Sequence, residues 1–238
     1  SLLTNPEIIA VDQDPAGLQA VLLRISDDVR IYARALEADH ERAVLFFNTS
    51  QTEVRTASIT WDELGLFQGT ASVRDLFARE DLGAFVDVFE AEVPPTGAVM
   101  VTIRGTEPLP GAGTLYLSDL PFRHAASYGS PVERLGPEGG LGVPGGSVVV
   151  VHLGGRCDVF EATVGLRADA GADGSVTFEV WGDGDRLWAS DVVTPATDPF
   201  PIQAWAKGRQ NLKLVTTPAG DSTAGDRAVW THARLICE

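Results

Sequence analysis

The chain has 238 residues, with 18 basic side chains, 33 acidic side chains and a formal net charge of −15. Nucleic acids and anionic membrane surfaces are bound through clustered Lys and Arg, so this balance excludes both as partners and leaves neutral ligands such as sugars. The 25 glycines and 14 prolines favour many short strands joined by turns.

The sequence shows no segment that approaches the roughly 20 apolar residues of a membrane span, and no secretory leader. Because the chain begins at Ser1 and not at Met, we expect it to be a fragment or a processed product.

A short helix is predicted near the start of the chain. Asn5 can cap it, Pro6 suits its first position, and the apolar run to Val11 stops before Asp14. So short a helix is marginal alone. We therefore expect residues 1–16 to be the remnant of a preceding domain, and the helix to belong to an apolar surface left open by that domain's absence.

From about residue 18 the apolar period changes to two, which is typical of strands: Val99, Val101 and Ile103 point one way, with polar or flexible residues between them. Strands are predicted near 18–25, 28–36, 42–49, 53–61, 71–78, 85–93 and 98–104. Residues 17–105 are therefore predicted to form an antiparallel β-sandwich.

Residues 106–113 are rich in Gly and Pro, lack periodicity and are predicted to be a linker. Residues 114–238 repeat the all-β pattern, with strands near 114–118, 147–153, 157–167, 175–181, 186–192, 211–217 and 229–237. Asp183-Gly184 predicts a hairpin, and 121–146 predicts a long loop, of a length that is usually functional or disordered. The fold class is all-β, with two consecutive antiparallel β-sandwiches.

The two cysteines, Cys157 and Cys237, are too few for a structural zinc site, and we predict no metal or cofactor. They are either two buried free thiols or one disulfide. We expect the disulfide, which contributes at most about 4 to 5 kcal/mol on the chain-entropy model. It implies an oxidising compartment, and hence a secreted protein.

The first half carries a chain of motifs in one order. Residues 3–15 read LTNPEIIAVDQDP, and VLFFN (44–48), SVRDLF (72–77), DLG (81–83) and VPPTGA (93–98) follow. They resemble the closing barrel helix and C-terminal sandwich of family 27 glycoside hydrolases, which include α-galactosidases. The resemblance implies that the first half contacts a catalytic (β/α)8 barrel that carries the nucleophile and the acid upstream of these residues.

The second half carries YLSDL (116–120), GSPVE (129–133), LGGRC (153–157) and FEVW (178–181), and continues from Trp230 to Cys237. These motifs resemble carbohydrate-binding module family 51. The resemblance implies a jelly-roll-like sandwich that binds galactose-type sugars. The chain departs from the family between 134 and 146, where the sequence predicts a shortened loop, and at Leu166-Arg167-Ala168-Asp169, where the family is acidic.

Sugar sites combine an aromatic ring that stacks on a pyranose with groups that bond its hydroxyls. The predicted carbohydrate-binding residues are Asp119, Phe122, Tyr128 and Glu133. Arg123 and Arg134 are close in sequence and could also bond hydroxyls. In the alternative, the two aromatic rings only cover the open end of the sandwich. Trp181, Trp188 and Trp230 lie in predicted strands and are assigned to the core.

No catalytic residue is assigned. Glycoside hydrolysis needs two positioned carboxylates, and the tempting pair, Asp12 and Asp14, lies at a helix end where capping or turn roles are expected. Asp183-Gly184-Asp185 could suggest calcium, but it lacks the spaced oxygen ligands that calcium needs.

The favoured function is a non-catalytic C-terminal region of a secreted α-galactosidase-like hydrolase whose second domain binds galactose-containing glycans. Two alternatives stay open. One is a structural or adhesive sandwich without a ligand, and the other is a catalytically competent glycosidase.

Overall fold

The computed structural model describes residues 4–127, 130–136, 139–220, 223 and 225–238. Strands account for 53% of the structure and helices for 6%, which confirms the all-β fold class. Among the described residues, the helices lack the length and apolar character needed to cross a membrane. The chain divides into two compact units, and the division lies between Pro108 and Leu109, inside the stretch predicted as a linker.

The first unit begins with helix α1, Pro6–Asp12. The Asn5 side chain accepts the backbone N–H of Glu7 at 3.0 Å, which satisfies one donor of the first turn. The helix lies on its own unit: Val11 is buried with Leu36 and Leu76. The helix is thus packed in part, because the sandwich that follows supplies an apolar surface for Val11, whereas Pro6 and Ala10 stay exposed.

The strands of the first unit are β1 (Val21–Ser26), β2 (Val29–Ala35), β3 (Glu41–Asn48), β4 (Arg55–Thr60), β5 (Thr70–Asp75), β6 (Glu80–Val86), β7 (Val88–Val93) and β8 (Ala98–Arg104). They form a sheet in the order β1-β2-β3-β8-β5-β6 and a separate β4-β7 pair, with antiparallel neighbours throughout. The two layers enclose a core that includes Phe46, Trp61 and Ile103.

The predicted strand 85–93 is in fact the end of β6 and all of β7, which Asp87 separates with a positive φ of 63°. Most of β6 escaped prediction because it is an exposed edge strand and has no buried face to impose an apolar alternation.

The strands of the second unit are β9 (Gly113–Tyr116), β10 (His124–Ala126), β11 (Glu133–Arg134), β12 (Gly140–Pro144), β13 (Ser147–His152), β14 (Cys157–Leu166), β15 (Val176–Gly182), β16 (Asp185–Ala189), β17 (Phe200–Trp205), β18 (Asn211–Pro218) and β19 (Arg227–Cys237). One sheet has the order β10-β13-β18-β15-β16. The other has the order β11-β12-β19-β14-β17, with β9 also paired to β19.

An aromatic cluster joins the two sheets of this unit. The Trp230 ring meets Phe178 edge-on at 5.0 Å between centroids, and Phe160 lies 6.1 Å away. Trp230 is 1% exposed, and its indole N–H donates to the Thr216 hydroxyl at 3.1 Å, so the buried polar atom is satisfied.

Cys157 and Cys237 face each other in the β14–β19 register and form a disulfide with an S–S distance of 2.04 Å. The bridge ties the start of β14 to the end of the last strand. Asp183 and Gly184 both have positive φ and join β15 to β16 as a two-residue hairpin, as predicted.

The predicted long loop 121–146 and the predicted shortened loop 134–146 are wrong in their described parts. β12 lies in them, pairs with β19 over five residues from Gly140 to Pro144, and is buried along most of its length. Glycines at alternate positions of β12 remove the alternating pattern by which a strand is recognised in sequence.

Candidate carbohydrate-binding site

The predicted aromatic platform at Phe122 is already covered. The Arg134 guanidinium carbon lies 3.8 Å from the centroid of the Phe122 ring, within the range of a cation–π contact. Phe122 itself packs against the core of the second unit. The stacking that was predicted for a sugar ring is therefore made by a side chain of the protein on that face.

Arg134 is held there by the backbone. Its Nη1 donates to the carbonyl oxygens of Leu117 and Ser118 at 3.2 and 2.6 Å. Burial lowers the pKa of Arg134, and the neighbouring carboxylate of Asp119 acts in the opposite direction. Asp119, which is exposed at the end of the turn Leu117–Asp119, thus belongs with Phe122 and Arg134 in one cluster.

Glu133 lies on the other side of β11. Successive side chains of a strand point to opposite faces, so Glu133 points away from the cluster around Phe122. Its carboxylate forms an ion pair with Arg167 at 2.6 Å. The structure therefore brings Asp119 and Phe122 together and separates both from Glu133. Tyr128 lies outside the described residues.

The other predicted hydrogen-bonding side chain, Arg123, is buried. It is 6% exposed, and its Nη1 donates to the Asn211 side chain at 2.9 Å. A side chain so enclosed cannot reach a sugar on the surface, so Arg123 is removed from the candidate site.

Glu133 instead lines a surface cleft that was not predicted from the sequence. The cleft holds about 290 Å³, part of it open to solvent. Its lining residues are Ser130, Pro131, Glu133, Gly142, Val143, Pro144, Arg167 and Arg227. A side chain at position 142 would point toward the ion pair, since an added Cβ would lie 3.3 Å from the Glu133 carboxylate and 3.4 Å from the Arg167 guanidinium. We define these lining residues as the cleft.

A chain of alternating charges organises the cleft. Arg167 contacts Glu133 at 2.6 Å and Asp169 at 3.1 Å, and Asp169 contacts Arg227 at 2.7 Å. The hydrogen bond to Glu133 is the main reason that the pKa of Arg167 is raised, so this cation remains charged. The cleft thus offers fixed donors and acceptors side by side with little net charge, which suits a neutral polyhydroxyl ligand.

Sequence reasoning missed Arg167 and Arg227 because they are distant in sequence from Glu133 and meet it only through the pairing of β12 with β19. One signal was present: residues 166–169 are a departure from the resembled family's acidic segment, and Arg167 and Asp169 lie in it.

Two of the acidic residues set aside as non-catalytic, Asp14 and Asp183, have structural partners. Asp14 accepts backbone N–H groups of Ala16 and Glu37 at 3.2 and 3.0 Å. Asp183 accepts from the backbone of Gln210 and Asn211 at 2.8 and 2.9 Å, which ties the hairpin to the start of β18. These contacts are those of turn and capping residues.

The fold and the cleft define the class of this chain: two consecutive β-sandwich units, the second with a small polar site on one sheet. Comparison with known proteins gives the family. Residues 113–236, more than half of the chain, match the model of the NPCBM/NEW2 domain, and the chain belongs to that family. Residues 26–103 match the alpha galactosidase C-terminal beta sandwich domain. The predicted pairing of a family 27 C-terminal part with a family 51-like module is confirmed, and a carbohydrate-binding role is supported.

Two of the curated relatives are α-galactosidases of plants. An α-galactosidase of Cyamopsis tetragonoloba is 32% identical over 93 residues, which are 39% of this chain and 22% of the relative. Alpha-galactosidase 3 of Arabidopsis thaliana is 35% identical over 97 residues, which are 39% of this chain and 22% of the relative. The chain thus spans less than a third of the length of the curated relatives that it matches.

A similar solved structure is that of CBM51 from Clostridium perfringens GH95 in complex with methyl-galactose. It is 26% identical, with a TM-score of 0.48, and the match covers 52% of this chain and 99% of that one.

Proposed function

We propose that the second unit binds galactose-type sugars in the cleft and thereby holds an α-galactosidase-type catalytic domain close to glycans outside the cell. The observation that carries the proposal is the partly exposed Glu133–Arg167 ion pair in a surface cleft within a domain of the NPCBM/NEW2 family. The galactose preference is supported by the α-galactosidase relatives of the first unit, since a targeting module is useful when it binds what its enzyme acts on.

The chemistry of the cleft suits a sugar. A hydroxyl group both donates and accepts a hydrogen bond, so a carboxylate beside a guanidinium can engage two neighbouring hydroxyls of one pyranose. Glu133 is half-exposed and Arg167 less so, with side-chain exposures of 46% and 29%. Both are reachable from solvent, and their mutual ion pair orients them before the ligand arrives.

Two further parts of the proposal concern the whole enzyme. The Cys157–Cys237 disulfide supports an oxidising compartment, and hence secretion. Phe77 and Leu82 are exposed, and each follows a residue joined to the start of α1: Leu76 accepts from Asn5, and Asp81 pairs with Arg74, which pairs with Glu7. These two apolar side chains support a contact with a catalytic barrel there. A longer chain that contains a barrel but gives no cross-link between the barrel and residue 77 would exclude that contact.

The sugar proposal is tested by retention of the chain on a column that carries immobilised galactose. Glu133→Gln removes the charge but keeps the shape, and we expect it to weaken binding about tenfold, because hydrogen bonds to charged groups contribute about 1.5 kcal/mol or more. Asp185→Asn is the matched control, since Asp185 pairs with Arg209 on the other sheet and should not change retention. Equal retention of the wild type and Glu133→Gln would remove the cleft from sugar binding.

The same chain should not hydrolyse a chromogenic α-galactoside, since the resemblance places both catalytic carboxylates in an upstream barrel. Turnover by this chain that survives Glu133→Gln would favour the alternative of a competent glycosidase.

A further inference from the structure

We propose that the cleft is one end of a longer glycan-binding track, which runs along the outer face of the six-stranded sheet of the second unit and ends at Trp205. The inference rests on the proposed function and extends it from a single sugar to a neutral oligosaccharide chain. The track is defined by Arg167, Thr163, Thr231, His232, Glu161, Arg234, Gln203 and Trp205.

The strand pairing places the cleft and Trp205 on the same face. In the β14–β19 ladder, Phe160 faces Leu235, and both are fully buried. Their neighbours Glu161 and Arg234 must therefore point outward. Further along the same two strands, at the cleft, the backbone N–H of Arg167 donates to the carbonyl oxygen of Arg227 at 2.8 Å. At about 3.3 Å per residue, Glu161 and Arg167 are separated by about 20 Å along β14.

Trp205 is the most exposed large apolar side chain of the chain's described part, at 69%. It lies on the edge strand β17, directly opposite Val159 of β14. By contrast, the indole N–H of Trp181 on the other sheet donates to Glu179 at 2.7 Å, and its ring lies near the Lys213 ammonium. An exposed indole on an edge strand is the kind of surface on which the apolar face of a pyranose stacks.

Beside Trp205, a row of polar side chains crosses four strands: Gln203 on β17, Glu161 on β14, Arg234 on β19 and Tyr116 on β9. Glu161 accepts from Gln203 at 3.1 Å and from Arg234 at 2.7 Å. The two charges of the row cancel, while donors and acceptors remain in one plane. This arrangement complements an uncharged ligand with many hydroxyls, and disfavours a nucleic acid or an acidic glycan.

Between the row and the cleft lies a strained residue. His232 has a φ of +51° and is exposed, at a bulge where Thr231 still faces Thr163 but Arg234 already faces Glu161. At the same point β19 exchanges its partner β12 for β9. Bulges in central strands re-aim side chains near binding sites, and a non-glycine residue in this backbone region points to a functional constraint. The bulge therefore places the exposed His232 imidazole between the two ends of the track.

The span of about 20 Å is too long for one pyranose ring and fits a chain of several units. A monosaccharide should therefore contact only the cleft, whereas a chain can engage the cleft, His232 and Trp205 together. Because the contacts are then made by one linked ligand, the chain should bind more tightly than a single sugar, although each contact is weak.

The test uses the whole chain and two probes, galactose and β-1,4-linked galactohexaose, followed by calorimetry and by the NMR signals of the tryptophan indole N–H groups. We expect the hexasaccharide to bind at least tenfold more tightly than galactose and to shift the Trp205 indole signal. Trp205→Ala should abolish this gain with chain length while leaving the galactose affinity unchanged. Trp181→Phe, on the other sheet, is the matched control and should retain the gain.

The outcomes separate the two proposals. Equal affinity for both probes, or a length gain that persists in Trp205→Ala, would overturn the track while the cleft stands. A Trp205 shift that is saturable in both the wild type and Glu133→Gln, without any binding of galactose, would support the face around Trp205 and reject the cleft. If neither probe binds or shifts Trp205, both proposals fail.

Discussion

At the scale of single residues, the contacts of Arg134 decide which neighbouring side chains are free to bind a ligand. From the sequence alone, the loop that holds Phe122, Asp119 and Glu133 is predicted to be a sugar site. Arg134 stacks on the Phe122 ring and donates to the carbonyl groups of Leu117 and Ser118. The segment around Phe122 therefore has a structural role, and one face of its aromatic ring is covered. Only Glu133, which alternates to the other face of β11, stays available to a ligand.

His232 provides a test at the same scale. A non-glycine residue in the left-handed region costs about 1–2 kcal/mol, part of which a glycine would recover. We expect His232→Gly to raise the free energy of unfolding by about 0.5–1 kcal/mol in urea titrations. His232→Ala keeps the strain and serves as the control, with no such gain. A His232→Gly variant that is less stable than His232→Ala would mean that the bulge is not strained.

At the scale of elements, the strands with a clear alternation were predictable and those without it were not. β8, β14 and β15 each bury one face of an otherwise polar run, and their positions follow from the sequence. β17 was missed because Pro201 breaks the pattern, which only an edge strand tolerates. The candidate site depends on β12 and its pairing with β19, so it could not be assembled from local sequence.

The β14–β19 pair also carries the disulfide, which closes a segment with a sequence separation of 80. Both cysteines are buried, at 0% and 7% exposure, so alanine is the suitable replacement. Cys157→Ala with Cys237→Ala should lower the free energy of unfolding of the second unit by about 4 kcal/mol, because the unfolded chain regains loop entropy.

Urea denaturation followed by tryptophan fluorescence measures this change, since four of the five tryptophans lie in the second unit, and the reduced wild type is the control. A loss below about 1 kcal/mol would show that the unfolded second unit is already constrained without the bridge.

At the scale of the whole molecule, the division into two compact units is that of a modular protein, with one family model matching inside each unit. Composition led to the expectation of neutral ligands, and the order of the motifs was enough to recognise the family that each half resembles. Neither the composition nor the motifs could show where a ligand binds. Glu133, Arg167 and Arg227 are far apart in sequence, and only the pairing of the strands brings them into one cleft.

Binding of galactose-type sugars by the second unit is measured by calorimetric titration of the wild-type chain with millimolar galactose, with glucose as the comparison sugar. We expect saturable heat with galactose, a Kd of roughly 1 mM or below, and weaker binding of glucose. Absence of saturable heat with galactose, under conditions in which the chain is folded, would contradict the proposed function.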